Sequence, residues 1–342
     1  MKTPIVTINY NGSKDTLPMV DSLMKSEEIF SLVIVDNKSP REEELHIIEK
    51  SICEKYEVEC RDIDYANETV VYAKELIIGD NSIYLLQADD NYGFAKGTNI
   101  GIKFALSYLE YESYIAILNN DTEVTTGFLG KVINGIEKNN LAAAMGTILY
   151  YGYEKPYIWS IGGPIDWIKA QGVHEHKNDV FEGSNEEYVV RQFISGCFTV
   201  FKREVLEEIG LLDEDYFFAG EEYQYSYDIG KKYRLGWIPS SVIYHKSLLD
   251  QGNGSSHRIA DLCWQYNAYM VKIVFVNKNK GKIYKTMWHC LFKAYLNTKL
   301  KQRYLATPEY GMGGFLKLKH YLYQNINRTS FLYKDFVSFR EG

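Results

Sequence analysis

The stretch that decides the fold is Tyr114–Asp121, with the sequence YIAILNND. Ile115–Leu118 form a short, continuous apolar run, which is typical of a strand covered on both faces in a parallel sheet. The run ends on two asparagines and Asp121, and in open α/β sheets ligands bind at the carboxyl ends of the strands. A carboxylate at that edge suits a hard divalent cation, which prefers oxygen ligands. Taken alone, the same residues also fit an Asn-Asp turn that opens the next helix.

Two earlier segments end in the same way. Ile5–Tyr10 is predicted to be a strand followed by Asn11, and Leu32–Val35 a strand followed by Asp36 and Asn37. Because the carboxyl ends of parallel strands share one edge, three polar strand ends predict a single cleft. Asp36 fits two roles there, accepting a hydrogen bond from the imide N–H of uracil or thymine, or capping the helix that follows.

The rest of the first half alternates strand and helix patterns, which favours a largely parallel α/β sheet. Residues 56–82 show no clear pattern. The other predicted elements are helices at Thr16–Met24 (with Thr16 as N-cap), Glu42–Glu54 and Gly97–Leu109, a strand at Ile83–Leu86, and a helix with Phe128 on its apolar face.

Beyond residue 145 we expect mixed strands and loops, and mainly helices from about residue 258. The predicted elements are a strand at Phe198–Phe201, a helix over 221–233, and two short strands over 235–245 hinged at Pro239.

The composition is that of an ordinary soluble globular protein, with 46% hydrophobic and 24% charged residues in 342. The five cysteines are scattered and contain no C-x-x-C pair, which disfavours a disulfide framework or a zinc site and fits a reducing compartment. We find no signal-peptide pattern and no apolar run of the ~18–20 residues that a membrane span needs. These observations predict a cytoplasmic protein.

The C-terminal segment is strongly basic. Residues 271–342 carry 14 lysines and arginines against 3 acidic residues, and apolar side chains such as Phe275, Trp288, Leu291 and Phe292 are interleaved with them. Basic and aromatic residues at helical spacing predict a helix lying on an anionic membrane surface. The alternative is a helical cap packed on the rest of the chain, or a dimer contact, with solvated lysines.

The segment Asn91–Gly101, NYGFAKGTNIG, places three glycines around a predicted helix start. Glycines there let the backbone approach a phosphate or ribose, and a helix N-terminus favours anions, although tight packing explains glycine equally well. The chain has neither a P-loop G-x-x-x-x-G-K-[ST] nor the dinucleotide spacing G-x-G-x-x-G, which disfavours a kinase, an ATPase or a dehydrogenase.

Carboxylates and aromatic residues are concentrated in Gly210–Asp228, GLLDEDYFFAGEEYQYSYD. Glu221 and Glu222 are adjacent, so one can face a cleft while the other caps or pairs. A carboxylate near apolar rings has a raised pKa, which suits a general base, whereas the simpler interpretation is a solvated acidic loop. His245 ends an apolar strand downstream, where a lone histidine is commonly structural.

In order along the chain, these segments resemble glycosyltransferase family 2, in particular its bacterial rhamnosyltransferase-like branch. The matching pieces are TINYNG (7–12), VIVDNKS (33–39), NYGFAKGTNIG (91–101), ILNNDTEV (117–124), SGCFTVFKREV (195–205), IGLLDEDYFFAGEEYQYSYD (209–228) and YHK (244–246). They span residues 7–246, and little of the resemblance continues into 247–342.

The resemblance implies an α/β GT-A fold, in which a Rossmann-like nucleotide-binding half (about 1–125) is fused to an acceptor half (about 126–250), with a basic helical extension over 251–342. It implies inverting transfer of rhamnose or another hexose from a dTDP- or UDP-sugar to a lipid-linked saccharide of a surface polysaccharide, with Mn²⁺ or Mg²⁺. A peripheral position on the inner face of the membrane and a homodimer are compatible with it, and no nucleic-acid partner is expected.

Residue by residue, the resemblance makes Glu222 the general base, with Glu221 as second choice, and Asp121 and His245 the metal-binding residues. The positions that it assigns to nucleotide binding are Asn9, Asn11, Asp36, Asn37, Asn91, Gly97, Asn99, Asn119 and Asn120.

Two residues depart from the family pattern. The metal motif begins with Asn119 where the family has aspartate, and the base is a glutamate where aspartate is commoner. Both departures keep open a non-catalytic nucleotide-sugar-binding partner of another transferase. A sugar nucleotidyltransferase is a further alternative, but residues 10–16 (YNGSKDT) lack the Gly-rich, Arg- and Lys-containing loop that it would show.

Overall fold

A computed structural model describes residues 2–65, 67–109, 113–248, 262–305 and 311–341. The strands are β1 (Thr3–Asn9), β2 (Phe30–Asp36), β3 (Glu59–Asp62), β4 (Val70–Ile78), β5 (Asn81–Ala88), β6 (Tyr114–Leu118), β7 (Thr122–Val124), β8 (Ala143–Tyr150), β9 (Ile158–Ser160), β10 (Ile165–Asp166), β11 (Gln171–Gly172), β12 (Val189–Arg191), β13 (Phe198–Lys202) and β14 (Leu235–His245).

Helices cover both faces of the sheet and make up the C-terminal region. They are α1 (Ser13–Met24), α2 (Glu44–Lys55), α3 (Gly93–Tyr108), α4 (Phe128–Asn139), α5 (Arg203–Ile209), α6 (Glu221–Gly230), α7 (Leu262–Asn279), α8 (Lys282–Tyr295), a π-helical segment (Leu296–Leu300), α9 (Lys301–Leu305), α10 (Gly311–Gln324) and α11 (Tyr333–Glu341).

The centre of the main sheet is parallel, as the sequence predicts. Strand β1 pairs in parallel with β2 and with β6, and β2 pairs in parallel with β5. Every residue of β2 and of β6 is buried, which explains why both read as continuous apolar runs. On the far side of β6, β13 runs antiparallel, followed by β8 and its parallel neighbour β14.

Helix α1 begins earlier than predicted, and Thr16 is not its cap. The first helical residue is Ser13, whose backbone N–H donates to the Glu44 carboxylate at 2.6 Å. An acceptor on α2 therefore satisfies this first-turn N–H group, and the helix needs no cap at Thr16. Pro18 consequently lies inside the helix rather than in its first turn.

One further strand prediction needs correction, and one stretch without a prediction contains strands. Residues 235–245 form one strand, β14, and not two, because the pairing with β8 continues past Pro239 after a register shift between Ile238 and Val242. The unassigned stretch 56–82 contains β3 and β4, which extend the sheet antiparallel beyond β5. Strand β3 is exposed along its whole length, so it carries no alternating apolar pattern.

The C-terminal helices form a hydrophobic cluster together with residues from the sheet-containing part of the chain. The indole of Trp167 stacks on the ring of Phe275 on α7 with centroids 4.8 Å apart, and Tyr223 on α6 meets the same ring edge-on at 4.9 Å. Trp288 on α8 donates to the carbonyl oxygen of Ile168 at 2.9 Å. Most of the apolar side chains in this region are thus buried in a packed helical cap, the alternative that the sequence left open.

The predicted domain limit at residue 250 lies in 249–261, outside the described residues. Among the helices that the structure describes, none is both long enough and apolar enough to cross a membrane.

Candidate active site

Side-chain hydrogen bonds connect the ends of β1, β2 and β6. The amide of Asn9 donates to Asp36 Oδ1 at 2.9 Å and accepts from the Thr16 hydroxyl at 2.8 Å. The amide of Asn120 in turn donates to Thr16 Oγ1 at 3.0 Å. The structure therefore brings the three polar strand ends together in one cluster at one edge of the sheet, as the sequence predicts.

Asp36 is buried and has several partners within the protein. Its carboxylate accepts from Asn9, from the backbone and hydroxyl of Ser39 at 3.1 and 2.5 Å, and from Gln87 Nε2 at 2.7 Å. The bond to the Ser39 backbone closes a turn directly after β2. It does not cap the following helix, because α2 begins at Glu44 with Glu43 as its N-cap residue. Asn11 lies at the same turn, where its backbone N–H donates to the Ser39 hydroxyl at 2.8 Å.

Asn37 joins the end of β2 to the start of α3. Its amide donates to Asn91 Oδ1 at 3.1 Å and to the carbonyl oxygen of Gly93 at 3.0 Å, and it accepts from the Tyr92 backbone at 3.1 Å. A side chain at Gly97 would place its Cβ 3.2 Å from the Asn37 amide. Glycine at this position therefore allows close packing of α3 against the strand end.

Asn99 has a structural role that its sequence motif does not indicate. Its side chain is buried, donates to the carbonyl oxygen of Leu212 at 2.8 Å and accepts from the Leu212 backbone N–H at 3.0 Å. The same amide donates to Glu214 Oε1 at 3.0 Å. Asn99 thus fixes α3 to the acidic loop that precedes α6.

Gly93 brings the start of α3 against the acidic loop. Its φ is +73°, and an added Cβ would lie 2.2 Å from the carbonyl oxygen of Phe217. The same carbonyl accepts from the Phe94 backbone N–H at 2.9 Å. A glycine is required here by both the left-handed backbone and the close approach.

Glu222, the predicted general base, is held by two donors. Its Oε2 accepts from the backbone N–H of Gly196 at 2.8 Å and from the Ser195 hydroxyl at 3.1 Å. Burial raises the pKa of Glu222, while the hydrogen bonds from Gly196 and Ser195 and the charge of Lys177 oppose that rise. The solvated-loop interpretation of this segment is therefore wrong.

Glu222 and the end of β6 are linked through Gly196 and Cys197. Gly196 donates to Glu222, and the carbonyl oxygen of the next residue, Cys197, accepts from the backbone N–H of Asn119 at 2.9 Å. The charges of both Asp121 and Glu222 raise the pKa of the Cys197 thiol, after the larger effect of burial. The candidate base and the candidate metal-binding strand end consequently lie in the same site.

Glu221 differs from its neighbour in its surroundings. It is 4% exposed, and its Oε2 is buried without a hydrogen-bond partner among the described residues. Burial, reinforced by the charge of Glu222, raises the pKa of Glu221 to about 8. The protonated form of Glu221 is therefore favoured near neutral pH.

A left-handed turn sets the start of α6 and so the position of both carboxylates. Ala219 and Gly220 have φ values of 62° and 93°. A Cβ on Gly220 would lie 2.8 Å from the ring of Tyr216 and 3.0 Å from Val271 on α7. Helix α7 therefore packs directly against the turn that orients Glu222.

Asp121 and His245 form a direct pair at the end of β6. His245 Nε2 lies 3.1 Å from Asp121 Oδ2. The remaining atoms Asp121 Oδ1 and His245 Nδ1, together with Asn119 Oδ1, are buried and have no hydrogen-bond partner within the described residues. Unsatisfied oxygen and nitrogen atoms of these types fit a divalent cation.

No cluster of three or more His, Cys, Asp or Glu side chains suited to a metal is found among the described residues. The departure at Asn119 accounts for this, because an aspartate there would supply a third such group. A site with a single carboxylate fits a cation that also takes oxygen ligands from a phosphate-bearing substrate.

Two site residues, Trp159 and Lys177, lie in the region beyond residue 145 that the sequence predicts only as mixed strands and loops. The ring of Trp159 is 4.4 Å from that of His245 between centroids, and Lys177 Nζ is 5.2 Å from the centroid of the Trp159 ring. Neither belongs to a motif of the resemblance, so no sequence signal distinguishes them from other loop residues.

The chain is similar to known proteins in sequence and in fold. Residues 50–210 match the family model of glycosyl transferase family 2. Among curated proteins, the dTDP-rhamnosyl transferase RfbF of Shigella flexneri is 25% identical over 192 residues, which is 56% of this chain and 60% of that protein. The matched region thus spans less than two thirds of the length of that relative.

The structure of GalNAc-T7 extends the comparison to the whole fold. The structure of GalNAc-T7 with UDP, GalNAc and Mn²⁺ superposes with a TM-score of 0.59 at 17% identity, over 100% of this chain and 56% of that chain. The structure of S. aureus TarS 1–349 superposes with a TM-score of 0.49 at 14% identity, over 99% and 89% of the two chains.

The fold is of the GT-A glycosyltransferase class, with helices in the C-terminal region, as expected from the sequence. The family match over residues 50–210 and the similarity in sequence to a rhamnosyl transferase support the predicted family.

Proposed function

We propose that the protein is an inverting glycosyltransferase that moves a hexose, such as rhamnose, from a dTDP- or UDP-sugar to a saccharide acceptor. The observation that carries the proposal is the linkage Glu222–Gly196–Cys197–Asn119, which joins a half-buried carboxylate to the polar ends of the parallel strands. The sequence relative is a dTDP-rhamnosyl transferase, and the structural neighbour was solved with UDP, which supports a nucleotide-sugar donor.

In the proposed reaction Glu222 takes the proton of an acceptor hydroxyl. The hydroxyl oxygen attacks the anomeric carbon from the face opposite the diphosphate, the new glycosidic C–O bond forms, and the bond from the anomeric carbon to the phosphate oxygen breaks. The nucleoside diphosphate leaves with the electron pair. The bonds from Gly196 and Ser195 hold Glu222 in one orientation, and its raised pKa makes it a stronger base than an exposed carboxylate.

Asp121 and His245, with the side-chain oxygen of Asn119, are the residues that would hold a Mn²⁺ or Mg²⁺ ion. The ion would supply positive charge for the diphosphate leaving group. The similar structure of GalNAc-T7 was solved with Mn²⁺, which supports this assignment. We also propose that the nucleotide binds at the cluster of polar side chains that contains Asn9 and Asp36.

Nucleotide binding and turnover test the proposed function. Thermal shifts with UDP, dTDP, GDP and CMP, each with Mn²⁺ or with EDTA, report binding because a bound ligand stabilises the folded protein. We expect stabilisation by UDP or dTDP that depends on Mn²⁺, and release of nucleoside diphosphate from the matching nucleotide-sugar when acceptor is added. Binding without any release, with every acceptor tried, would favour the non-catalytic binding partner instead.

For the acceptor we propose a lipid-linked saccharide. Helix α8 would bind the anionic membrane surface that carries this saccharide and so bring the site close to it. Three apolar side chains lie one turn apart on this helix and are largely exposed, Ile283 at 80%, Met287 at 61% and Leu291 at 63%. Lys282 is exposed at the start of the same helix and Lys293 lies in its last turn. An apolar stripe with nearby lysines suits a helix in the headgroup plane of an anionic leaflet.

Sedimentation with anionic and neutral liposomes at low and high salt tests this part of the proposal. We expect salt-sensitive binding to anionic liposomes that is lost when Ile283, Met287 and Leu291 are together replaced by glutamine. The triple variant should keep the unfolding temperature of the parent protein, because these side chains are exposed. Light scattering distinguishes the homodimer, since a stripe that joins two copies would make the parent dimeric and the variant monomeric. The predicted cytoplasmic location stays a prediction.

A further inference from the structure

A tight turn over residues 175–178 lies beside the candidate active site. His176 and Asn178 both have left-handed backbones, with φ values of 53° and 74°. Neither is glycine, so each conformation is strained, and such strain is found where surrounding structure holds it in place, often at functional sites. The residue between them is Lys177.

Hydrogen bonds on both sides fix this turn to β9. The backbone N–H of Asn178 donates to the carbonyl oxygen of Ile158 at 2.8 Å, and the N–H of Ile158 donates to that of Asp179 at 2.9 Å. Glu175 N–H donates to the carbonyl oxygen of Gly162 at 2.9 Å, and the Tyr150 hydroxyl donates to Asn178 Oδ1 at 2.9 Å. The turn is thus a rigid support for Lys177.

Trp159 on β9 connects this turn to the Asp121–His245 pair. The Trp159 ring packs against the rings of His245 and His174, with centroid distances of 4.4 Å and 5.2 Å. Lys177 Nζ lies 5.2 Å from the centroid of the same indole, close enough for a cation–π contact. The Trp159 ring therefore contacts both the Lys177 ammonium group and His245, one of the residues that would hold the cation.

The charge of Lys177 also acts on Glu222 and on His174. It lowers the pKa of Glu222, against the larger effect of burial, and it adds to the effect of burial in lowering the pKa of His174 to about 3. His174 is consequently neutral near physiological pH. The charge of Lys177 thus acts on the candidate base as well as on His174.

We propose that Lys177 binds the diphosphate of the nucleotide-sugar and neutralises part of its charge as it leaves. This inference rests on the proposed function. The chemistry fits, because a lysine ammonium is a common ligand of phosphate groups and its charge acts strongly in a partly buried site. It also relates to the departure at Asn119, where a carboxylate ligand for a cation is missing and a protein cation can take over part of the neutralisation.

Binding of nucleosides and nucleoside diphosphates to variants of Lys177 tests the inference. Isothermal titration is carried out with uridine, thymidine, UDP and dTDP, each with Mn²⁺ and with EDTA. Lys177→Met should weaken binding of the preferred nucleoside diphosphate by about tenfold or more, the usual scale for one charged hydrogen bond. Binding of the corresponding nucleoside should be unchanged, and Lys177→Arg should restore most of the lost affinity.

Two controls separate this result from general damage. Lys138→Met removes an exposed lysine of α4 that pairs with Glu187 at 3.4 Å, and it should leave all affinities unchanged. The unfolding temperature of each variant identifies any that fail to fold, and recovery of diphosphate affinity in Lys177→Arg shows that the charge at this position is what matters.

The experiment distinguishes failure of the proposed function from failure of the inference about Lys177. If the parent protein binds none of the nucleoside diphosphates, the proposed function fails and this inference fails with it. If the parent binds one of them and Lys177→Met binds it equally well, only the inference is overturned. A variant that loses nucleoside and diphosphate affinity to the same degree, with no recovery in the arginine variant, also overturns it, because Lys177 would then act only as support for Trp159.

Discussion

Lys278 on helix α7 forms an ion pair with Asp215 in the acidic loop, with Nζ 2.6 Å from Oδ2. The same ammonium pairs with Asp213, and the hydrogen bonds raise the pKa of Lys278 although burial opposes the rise. The loop between α5 and α6 leads directly into Glu221 and Glu222. The C-terminal helices therefore support the candidate active site rather than only extending the chain.

We expect Lys278→Met to lower the free energy of unfolding by about 1–2 kcal/mol, the scale of hydrogen bonds to charged groups. It should also lower turnover, because the loop before Glu222 loses a contact that fixes it. Denaturant unfolding and nucleoside diphosphate release measure the two effects. Lys334→Met, at an exposed position of α11, is the control and should change neither. Unchanged turnover in Lys278→Met would show that the loop keeps its position without the ion pair.

Glu222→Gln should retain donor affinity and reduce turnover by roughly 10²–10⁴, the usual contribution of a positioned general base. The amide has nearly the same shape, but it cannot accept the acceptor proton. Initial rates of nucleoside diphosphate release, together with donor binding by titration, separate the two quantities. Glu221→Gln is the matched control and should affect the rate much less. The reverse ordering would move the base to Glu221.

The central strands and their polar ends could be predicted from the sequence because the chemistry is local. A parallel strand buried on both faces is largely apolar along its length, so Asn9, Asp36 and Asn119 mark the points where the apolar runs end. The same reasoning located α4, whose apolar face packs on one side of the sheet. Strand β3 is exposed throughout and left no such pattern.

The parts that could not be predicted depend on contacts between distant segments. Glu221 and Glu222 appear in the sequence as members of an acidic loop, but Glu221 is buried and Glu222 is half-buried in the structure. Val271 and Phe275 of α7 pack against the neighbouring Gly220 and Tyr223. The start of α1 at Ser13 differs from the predicted start at Thr16, because the acceptor for the Ser13 N–H group is Glu44, 31 residues away. The left-handed turn at Lys177 is set by hydrogen bonds to β9, which no local pattern reveals.

Stability should fall with rising pH because of Glu221. Its pKa is about 8 in the folded protein, raised by burial and by the charge of Glu222, and about 4.3 in an unfolded chain. Between these two values the folded state binds more protons than the unfolded state, so unfolding becomes easier as pH rises. This contribution to stability is fully present below about pH 4 and is lost as pH passes 8.

Unfolding temperatures of the parent protein and of Glu221→Gln, measured from pH 5 to pH 8.5, test this effect. The difference between the two should shift in favour of the variant as pH rises, because glutamine has no charge to bury. Glu123→Gln changes a glutamate that pairs with Lys246 at 3.2 Å, and its difference from the parent should not follow the same trend. If the difference in unfolding temperature between Glu221→Gln and the parent does not change with pH, the pKa of Glu221 is not raised in the folded protein.

Asp121→Ala should abolish the dependence of donor binding on a divalent cation. Asp121 is the carboxylate that directly follows β6, and its Oδ1 is buried without a hydrogen-bond partner among the described residues, so loss of its charge cannot be replaced by Asn119. Titration of UDP or dTDP with Mn²⁺ and with EDTA measures the effect. Glu123→Gln lies two residues away and should leave the Mn²⁺ dependence intact.

Asn119→Asp tests the same site in the opposite direction. Adding a carboxylate beside Asp121 should tighten Mn²⁺ binding, measured as a lower Mn²⁺ concentration for half-maximal donor binding, because hard cations bind more strongly as ligand charge increases. The two changes together should behave as Asp121→Ala if Asp121 supplies the main ligand. Weaker Mn²⁺ binding by Asn119→Asp would mean that the Asn119 oxygen does not face the ion, and the assigned set of ligands would be wrong.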